Sequence, residues 1–236
     1  MDVPKPYFML HQPINLAIAD DHTLFRRMLK DFLTQQVSLN VTIEACDILD
    51  LLKKLKVFPA DIVVMDVFMP KIEGSEALKC IRTEFPHLKV IVLSMSTNLL
   101  LINELMDIGI HAYISKADEP EHLLQAIDSA HNDKIYRNKL FTDALYLHNH
   151  NNLKKIEKGN TIQFDDREKK VLQLLWEEKS NKDIANEIFL SVRSVEKIRQ
   201  DMKEKLGVKS TIGLLKYALT NKIIRSNNVF AMNTRM

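Results

Sequence analysis

Short apolar runs alternate with longer stretches of helical periodicity between Asn15 and Asp133, and this alternation limits the possible folds more than any other feature. The apolar runs are rich in Val and Ile and lie at 15–20, 41–45, 61–66, 89–94 and 111–115. Three of them are almost continuously apolar, which is typical of parallel strands covered on both faces. The intervening stretches predict helices over 22–36, 47–56, 73–85, 97–108 and 119–132.

One buried face is predicted for the first of these helices from the spacing of Leu24, Met28, Leu29 and Phe32. Five strand–helix repeats predict an α/β domain over 14–133 with a doubly wound, five-stranded parallel sheet. In such sheets the ligand site lies at the carboxyl ends of the strands.

The rest of the chain has a different character. Residues 134–162 are polar, rich in Asn and Lys, and without a sustained period, so we interpret them as a linker that begins as a helix extension and ends loosely. An all-α domain of four helices is predicted over 163–225, and the composition of the tail, 226–236, predicts disorder.

Capping signals divide the C-terminal domain into helices. Ser180 and Asp183 form a capping box, Ser191 can cap a third helix, and Gly207 stands just past its end. A fourth helix is predicted over about 211–222. The second and third helices, joined by a tight connection, make a helix-turn-helix candidate. We expect the first helix of this domain to bury Val171, Leu172, Leu174 and Leu175. We expect the third helix to bury Val192, Val195, Ile198, Met202 and Leu206.

Charge and cysteine content limit the partners and the compartment. The chain has 33 basic and 31 acidic side chains, but the basic excess lies after residue 162, so a polyanion is expected to meet the C-terminal part. Cys46 and Cys80 lie in no metal-binding or disulfide pattern and fit a reducing compartment. Since no apolar run approaches the ~20 residues that span a bilayer, we expect a cytoplasmic protein with no membrane partner.

Carboxylates follow two of the predicted strands. Asp20 and Asp21 end the first strand and Asp66 ends the third, so three like charges gather if those strands are neighbours. A hard divalent ion with oxygen ligands fits such a site, which indicates Mg²⁺. With Lys116 and Ser94 at the ends of two further strands, a carboxylate there is equipped to accept a phosphoryl group.

These residues resemble the receiver domain of two-component response regulators. The resemblance covers about 14–133 and depends on IADD at 18–21, MDVFMPKIEG at 65–74, LSMS at 93–96, Tyr113, and ISKAD at 114–118. It implies that Asp66 is the phosphoacceptor, Asp21 a direct Mg²⁺ ligand, Asp20 a ligand through water, and the carbonyl of Phe68 a further ligand. It also implies that Lys116 binds a phosphoryl oxygen, and that Ser94 and Tyr113 form a switch pair whose aromatic ring turns inward on phosphorylation.

A phosphatase with an aspartyl nucleophile is the rival enzyme hypothesis. That chemistry requires a second carboxylate two residues after the nucleophile as general acid, and Phe68 stands there. Phe68 also cannot orient a water by hydrogen bonding, so we expect that the phosphorylated state is not especially short-lived.

Residues 163–222 resemble the LuxR-type helix-turn-helix of the NarL/FixJ subfamily, through Arg167-Glu168, 181–185, Ser194-Val195 and 205–208. The third helix departs from the family pattern at Glu196, Ile198 and Asp201, and Asp165 replaces the usual Thr. Arg and Gln can contact base edges and Lys can neutralise phosphates, while a glutamate can accept from cytosine. The predicted DNA-binding residues are Arg193, Ser194, Glu196, Lys197, Gln200 and Lys203.

Together the two resemblances imply a transcriptional response regulator. A sensor histidine kinase or a small phosphodonor would phosphorylate Asp66, and a phosphorylation-dependent homodimer would bind double-stranded DNA. The receiver would catalyse its own phosphotransfer and dephosphorylation without being a turnover enzyme. The alternative is a phosphorylation-controlled protein-binding switch whose helix-turn-helix has lost DNA affinity, which the departures at 196, 198 and 201 make worth testing.

Overall fold

The computed structural model describes residues 13–72, 74–152 and 162–224. The chain divides into two compact units, Met1–Ala144 and Leu145–Met236. Within the described ranges, no helix is long and apolar enough to cross a membrane. The tail at 226–236 and the loose end predicted for the linker near 158–160 lie outside the described residues.

The first unit is a five-stranded parallel sheet with strand order β2-β1-β3-β4-β5. Strands and helices alternate along the chain as β1 (Ile14–Ala19), α1 (Thr23–Thr34), β2 (Leu39–Ala45), α2 (Ile48–Leu55), β3 (Ile62–Met65), α3 (Gly74–Glu84), β4 (Lys89–Ser94), α4 (Leu99–Ile108), β5 (Ala112–Ser115) and α5 (Pro120–His131). All five predicted strands and five helices are present, with bounds that differ by at most three residues. The predicted fold class is confirmed.

Burial on both faces explains the apolar runs. Every residue of β3 is buried, as is every residue of β4 except Lys89, because helices cover both sides of the sheet. Side-chain caps start two of the covering helices: Asp47 accepts from the backbone of Asp50, and Asn98 accepts from Leu100 and Leu101. Gly109, in the left-handed conformation, ends α4.

The buried face of α1 differs from the prediction. Leu29 and Leu33 are buried, and Phe25 and Phe32 pack partly against the core. Leu24 and Met28, which were expected on the same face, are exposed. The buried stripe comprises Phe25, Leu29, Phe32 and Leu33, at i, i+4, i+7 and i+8. It is rotated around the helix axis from the predicted stripe because the face with the two aromatic rings packs against the sheet.

The linker contains a helix of its own, α6 (Lys139–Asn152). Phe141, Ala144 and Leu145 are buried at i, i+3 and i+4. This part of 134–162 therefore has a helical period, contrary to the prediction. Asn138 starts the helix by accepting from the backbone of Phe141. The short stripe was overlooked because polar Asn and His side chains follow it in the sequence.

Among the residues described at 162–224, the second unit has four helices: α7 (Asp166–Trp176), α8 (Asn181–Glu187), α9 (Val192–Leu206) and α10 (Thr211–Thr220). The capping box of Ser180 and Asp183 is present, Ser191 caps α9, and Gly207 ends it in the left-handed conformation. The predicted inner face of α7 is buried. On α9, Val195 and Met202 are buried, but Ile198 and Leu206 are only partly buried and Val192 is exposed.

Candidate functional site

The carboxylates of Asp20 and Asp66 lie together because β1 and β3 are neighbours in the sheet. Each residue directly follows its strand, and its backbone continues the ladder: Asp20 N donates to Ala45 O over 3.1 Å, and Asp66 N donates to Ala19 O over 2.9 Å. Both side chains are buried. The predicted meeting of these two carboxylates at the carboxyl edge is therefore present.

Lys116 joins the two carboxylates. Its Nζ lies 2.7 Å from Asp20 Oδ2 and 2.6 Å from Asp66 Oδ2, and the three side chains are at most 8% exposed. Burial lowers the pKa of Lys116, but the hydrogen bonds and charges of the two carboxylates together outweigh it and raise that pKa above its usual value. Lys116 is therefore a buried ammonium ion at neutral pH.

The loop after β3 fixes the second oxygen of Asp66. Phe68 N donates to Asp66 Oδ1 over 3.0 Å, while the Phe68 side chain is exposed. The loop then folds back so closely that a Cβ on Gly74 would lie 2.4 Å from the Cβ of Val67, so only glycine fits. A backbone that folds back in this way presents the Phe68 region beside Asp66.

Asp21 and His22 extend the site toward solvent. Asp21 Oδ1 is a buried atom that accepts no hydrogen bond, although His22 Nδ1 lies 3.0 Å away. One ligand atom from each of Asp20, Asp21 and His22 can be chosen so that all lie within 4.8 Å of one another. An acceptor oxygen without a donor beside a second carboxylate fits a hard cation such as Mg²⁺, because a cation satisfies both oxygens at once.

The predicted switch residues are buried at the ends of β4 and β5. Ser94 is fully buried, and its Oγ accepts from Ser96 N over 3.4 Å. Tyr113 is also fully buried, and its hydroxyl donates to Ser96 O over 2.8 Å. Burial raises the pKa of the Tyr113 hydroxyl, partly offset by hydrogen bonds with Ser94 and Ser96, so it remains a neutral donor.

In this structure the Tyr113 ring lies inside, and its inward turn on phosphorylation stays a prediction. Lys116 binds the Asp66 carboxylate directly in the same structure. The hydrogen bond from Tyr113 to the backbone of Ser96 stabilises the inward ring.

Three neighbours of the site were not anticipated. Arg26 donates to the backbone oxygen of Asp20, and the ring of Phe25 lies 4.6 Å from Lys116 Nζ. His22 is the third. Arg26 and Phe25 lie in the first turn of α1, and nothing in the sequence distinguishes them from ordinary surface and core residues. His22 directly follows the acidic pair, and this position could have drawn attention to it.

Five of the six predicted DNA-binding residues share one open depression on α9: Arg193, Ser194, Glu196, Lys197 and Gln200 line it together with Ser191. Lys203 lies apart from it and is partly buried, and burial, with the charge of Arg199, lowers the pKa of Lys203. Arg199 itself points inward, where it donates to Asn181 Oδ1 and, over 2.7 Å, to Thr211 Oγ1. The depression on α9 therefore ends in the region of Gln200.

Two family models match the two units. The response regulator receiver domain matches residues 16–128, and the luxR family of bacterial regulatory proteins matches 163–218. The oxygen regulatory protein NreC of Staphylococcus aureus is 30% identical over 215 residues, covering 89% of this chain and 99% of NreC.

Solved structures of RcsB are similar along the chain. RcsB from Salmonella enterica serovar Typhimurium, bound to promoter P1flhDC in the presence of phosphomimetic BeF₃⁻, has a TM-score of 0.56 and 25% identity over 89% of this chain and 100% of that one. A structure of two RcsB dimers bound to two parallel DNAs has a TM-score of 0.55 and 25% identity, covering 89% and 99%.

A receiver domain followed by a helix-turn-helix defines a phosphorylation-controlled regulator. This chain belongs to the two-component response regulators of the NarL/FixJ type. The predicted family and class of function are confirmed; the roles of individual residues stay predictions.

Proposed function

We propose that this protein is a DNA-binding transcriptional regulator that is activated when Asp66 accepts a phosphoryl group from a sensor histidine kinase or a small phosphodonor. The observation that supports it most is the buried ion pair of Lys116 with both Asp20 and Asp66, beside an Asp21 oxygen that has no hydrogen-bond donor. A protein does not gain stability from such a concentration of negative charge, so the arrangement favours a chemical role.

Asp66 is the nucleophile. One of its carboxylate oxygens forms a bond to phosphorus, the bond from phosphorus to the donor's histidine nitrogen breaks, and the leaving imidazole takes a proton from solvent. Phe68 N and Lys116 hold the Asp66 carboxylate in place before the reaction. Afterwards Lys116 transfers its hydrogen bond from the carboxylate to a phosphoryl oxygen.

The acidic residues would hold Mg²⁺. Asp20, Asp21, Asp66 and the carbonyl of Phe68 are the proposed ligands, and the ion supplies neutralisation of the charge on the phosphoryl oxygens. The receiver accelerates only its own phosphorylation and dephosphorylation, since Asp66 is consumed in the first step and restored in the second.

Ser94 and Tyr113 connect the site to the surface of α4 and β5. Once phosphorylated, the site offers new acceptor oxygens, and the Ser94 hydroxyl donates to one of them. Movement of the Ser94 side chain toward the phosphoryl group breaks the hydrogen bond that its Oγ accepts from Ser96 N, which repositions the segment whose carbonyl accepts from Tyr113. The change at this surface promotes homodimerisation.

A homodimer would place two α9 helices in successive major grooves, about 34–36 Å apart, on two half-sites. The similar structure of two RcsB dimers bound to two parallel DNAs supports this arrangement. The depression on α9 has two cations and three neutral polar side chains for phosphates and bases.

Selection from random duplex DNA tests the function. The protein is activated with beryllium fluoride and Mg²⁺, and Asp66→Ala is treated identically. We expect a two-half-site motif for the wild type and none for the variant. Enrichment by both would contradict control by Asp66. Enrichment by neither would contradict DNA binding and favour the protein-binding switch, whose partner would then be sought with the activated chain as bait.

A further inference from the structure

We propose that Glu196 contacts a cytosine in each half-site and determines the base preference there, an inference that rests on the DNA-binding function proposed above. Glu196 is the fifth residue of α9 and is exposed. In helix-turn-helix proteins the N-terminal part of the second helix contacts base edges in the major groove. Glu196 therefore lies where a side chain determines sequence preference.

The chemistry of a carboxylate selects the base. An ionised glutamate only accepts hydrogen bonds, and only cytosine N4 and adenine N6 donate in the major groove. Adenine presents its N7 acceptor next to N6, which repels a carboxylate, whereas cytosine has no acceptor of its own at that edge. Cytosine is therefore the favoured partner.

The charge of Glu196 is not paired within the described part of its own unit. Among the residues that the structure describes, the side chains of Arg193, Glu196 and Lys197 form no hydrogen bond or ion pair. Two other lysines of the unit are paired: Lys170 Nζ lies 2.8 Å from Glu187 Oε1, and Lys205 Nζ lies 2.9 Å from Glu168 Oε1. An unpaired carboxylate between two unpaired cations is what a surface that binds an outside partner requires.

The charges around Glu196 make its approach to DNA feasible. Arg193 and Lys197 lie three residues before it and one after it, and all three line the same depression. The first turn of α9 contains no acidic residue, so the positive end of the helix dipole faces the same region. These positive groups attract phosphates on either side, while Glu196 repels DNA unless a base donates to it.

Removal of this charge therefore has effects of opposite sign. On the cognate duplex, Glu196→Ala loses a hydrogen bond to the base and weakens binding. On a duplex without the motif, the same substitution removes repulsion and strengthens binding. A residue that only stabilised the fold would weaken both.

The test compares wild type, Glu196→Ala and Asp201→Asn, each activated with beryllium fluoride and Mg²⁺, in the same selection and in binding titrations. Asp201 is an exposed carboxylate on the same helix, about 140° around the axis from Glu196 at 3.6 residues per turn, so it controls for loss of one negative charge. Thermal melting of each variant verifies that it is folded.

We expect one C·G pair per half-site whose replacement by T·A weakens wild-type and Asp201→Asn binding on the order of tenfold, and Glu196→Ala binding less than twofold. Retention of every base preference by Glu196→Ala would overturn the inference while leaving the DNA-binding function intact. Equal losses of affinity by Glu196→Ala for cognate and random duplexes would also overturn it. Failure of the wild type to enrich any motif would overturn the proposed function together with the inference.

Discussion

At the scale of single residues, Lys116 has two tasks that conflict. It neutralises the buried carboxylates of Asp20 and Asp66, and in the proposed function it must release Asp66 to bind a phosphoryl oxygen. A divalent cation at the same carboxylates relieves part of the repulsion. The stability of the unphosphorylated unit should therefore depend on both Lys116 and Mg²⁺.

Lys116→Met should lower the free energy of unfolding by about 3–5 kcal/mol, because it leaves two buried carboxylates without their cation. Addition of Mg²⁺ should restore a measurable part of that loss. Urea unfolding with and without Mg²⁺ measures both effects. The matched control is Lys79→Met, whose ion pair with Glu76 is exposed and whose unfolding midpoint should stay at the wild-type value. Equal midpoints for the two variants would contradict the role of Lys116.

The raised pKa of Tyr113 predicts how the stability of the receiver depends on pH at alkaline pH. Because its folded pKa is raised above the unfolded value near 10, the contribution of the neutral hydroxyl to stability is fully present below about pH 10 and decreases as pH rises through the folded pKa. Tyr113→Phe should be less stable by about 1 kcal/mol at pH 8, through loss of the bond to Ser96 O. The difference should shrink above pH 10 in urea titrations; a difference that grows there would contradict the assignment.

At the scale of elements, the apolar runs were sufficient to predict all five strands, because each run is rich in Val and Ile and too short for a helix. Helices with one buried face were harder. Leu24 and Met28 fit a stripe as well as Phe25 and Leu33 do, and only packing against the sheet decides between them. In α6 the buried stripe consists of only three residues, which is too short to be recognised as a helical period beside the polar residues that follow.

The orientation of α1 gives a prediction. Met28→Lys should change the free energy of unfolding by no more than about 0.5 kcal/mol, because Met28 is exposed. Leu29→Ala, one position further on, should cost about 3 kcal/mol, because Leu29 is buried. Denaturant unfolding of the two variants decides the matter: a larger loss for Met28→Lys would mean that the face predicted from the sequence is the buried one.

The candidate site, like the helices, was only partly predictable from the sequence. Sequence order places Asp20, Asp66, Ser94 and Lys116 at the same edge once a parallel sheet is assumed, and the structure brings them there. The inward ring of Tyr113 and the contacts of Arg26 and Phe25 depend on side-chain packing across elements. No local pattern encodes those contacts.

At the scale of the whole molecule, charge is divided between the two parts of the chain. Residues 1–162 contain 18 basic and 21 acidic side chains, and 163–236 contain 15 and 10, so the net charges are −3 and +5. DNA would therefore attract the C-terminal part and repel the receiver. The salt dependence of binding should report only the contacts of the helical unit.

Lys197→Met measures one such contact. If Lys197 neutralises one phosphate, the slope of log K against log salt should become shallower by about 0.9 in the variant, with the same base preference. Titrations of the activated protein with its selected duplex between low and physiological salt give the slope. Glu196→Ala serves as the contrast, because its slope should not become shallower.

The unpaired outer face of α9 has a consequence for how this protein can diverge. Arg193, Glu196 and Lys197 are exposed, and α9 is anchored instead by the buried Val195 and Met202 and by the inward Arg199. Substitution of the outer residues therefore costs the fold almost nothing. If these residues contact operator bases as proposed, operator preference can change one side chain at a time while each intermediate stays folded and remains under control of the same receiver.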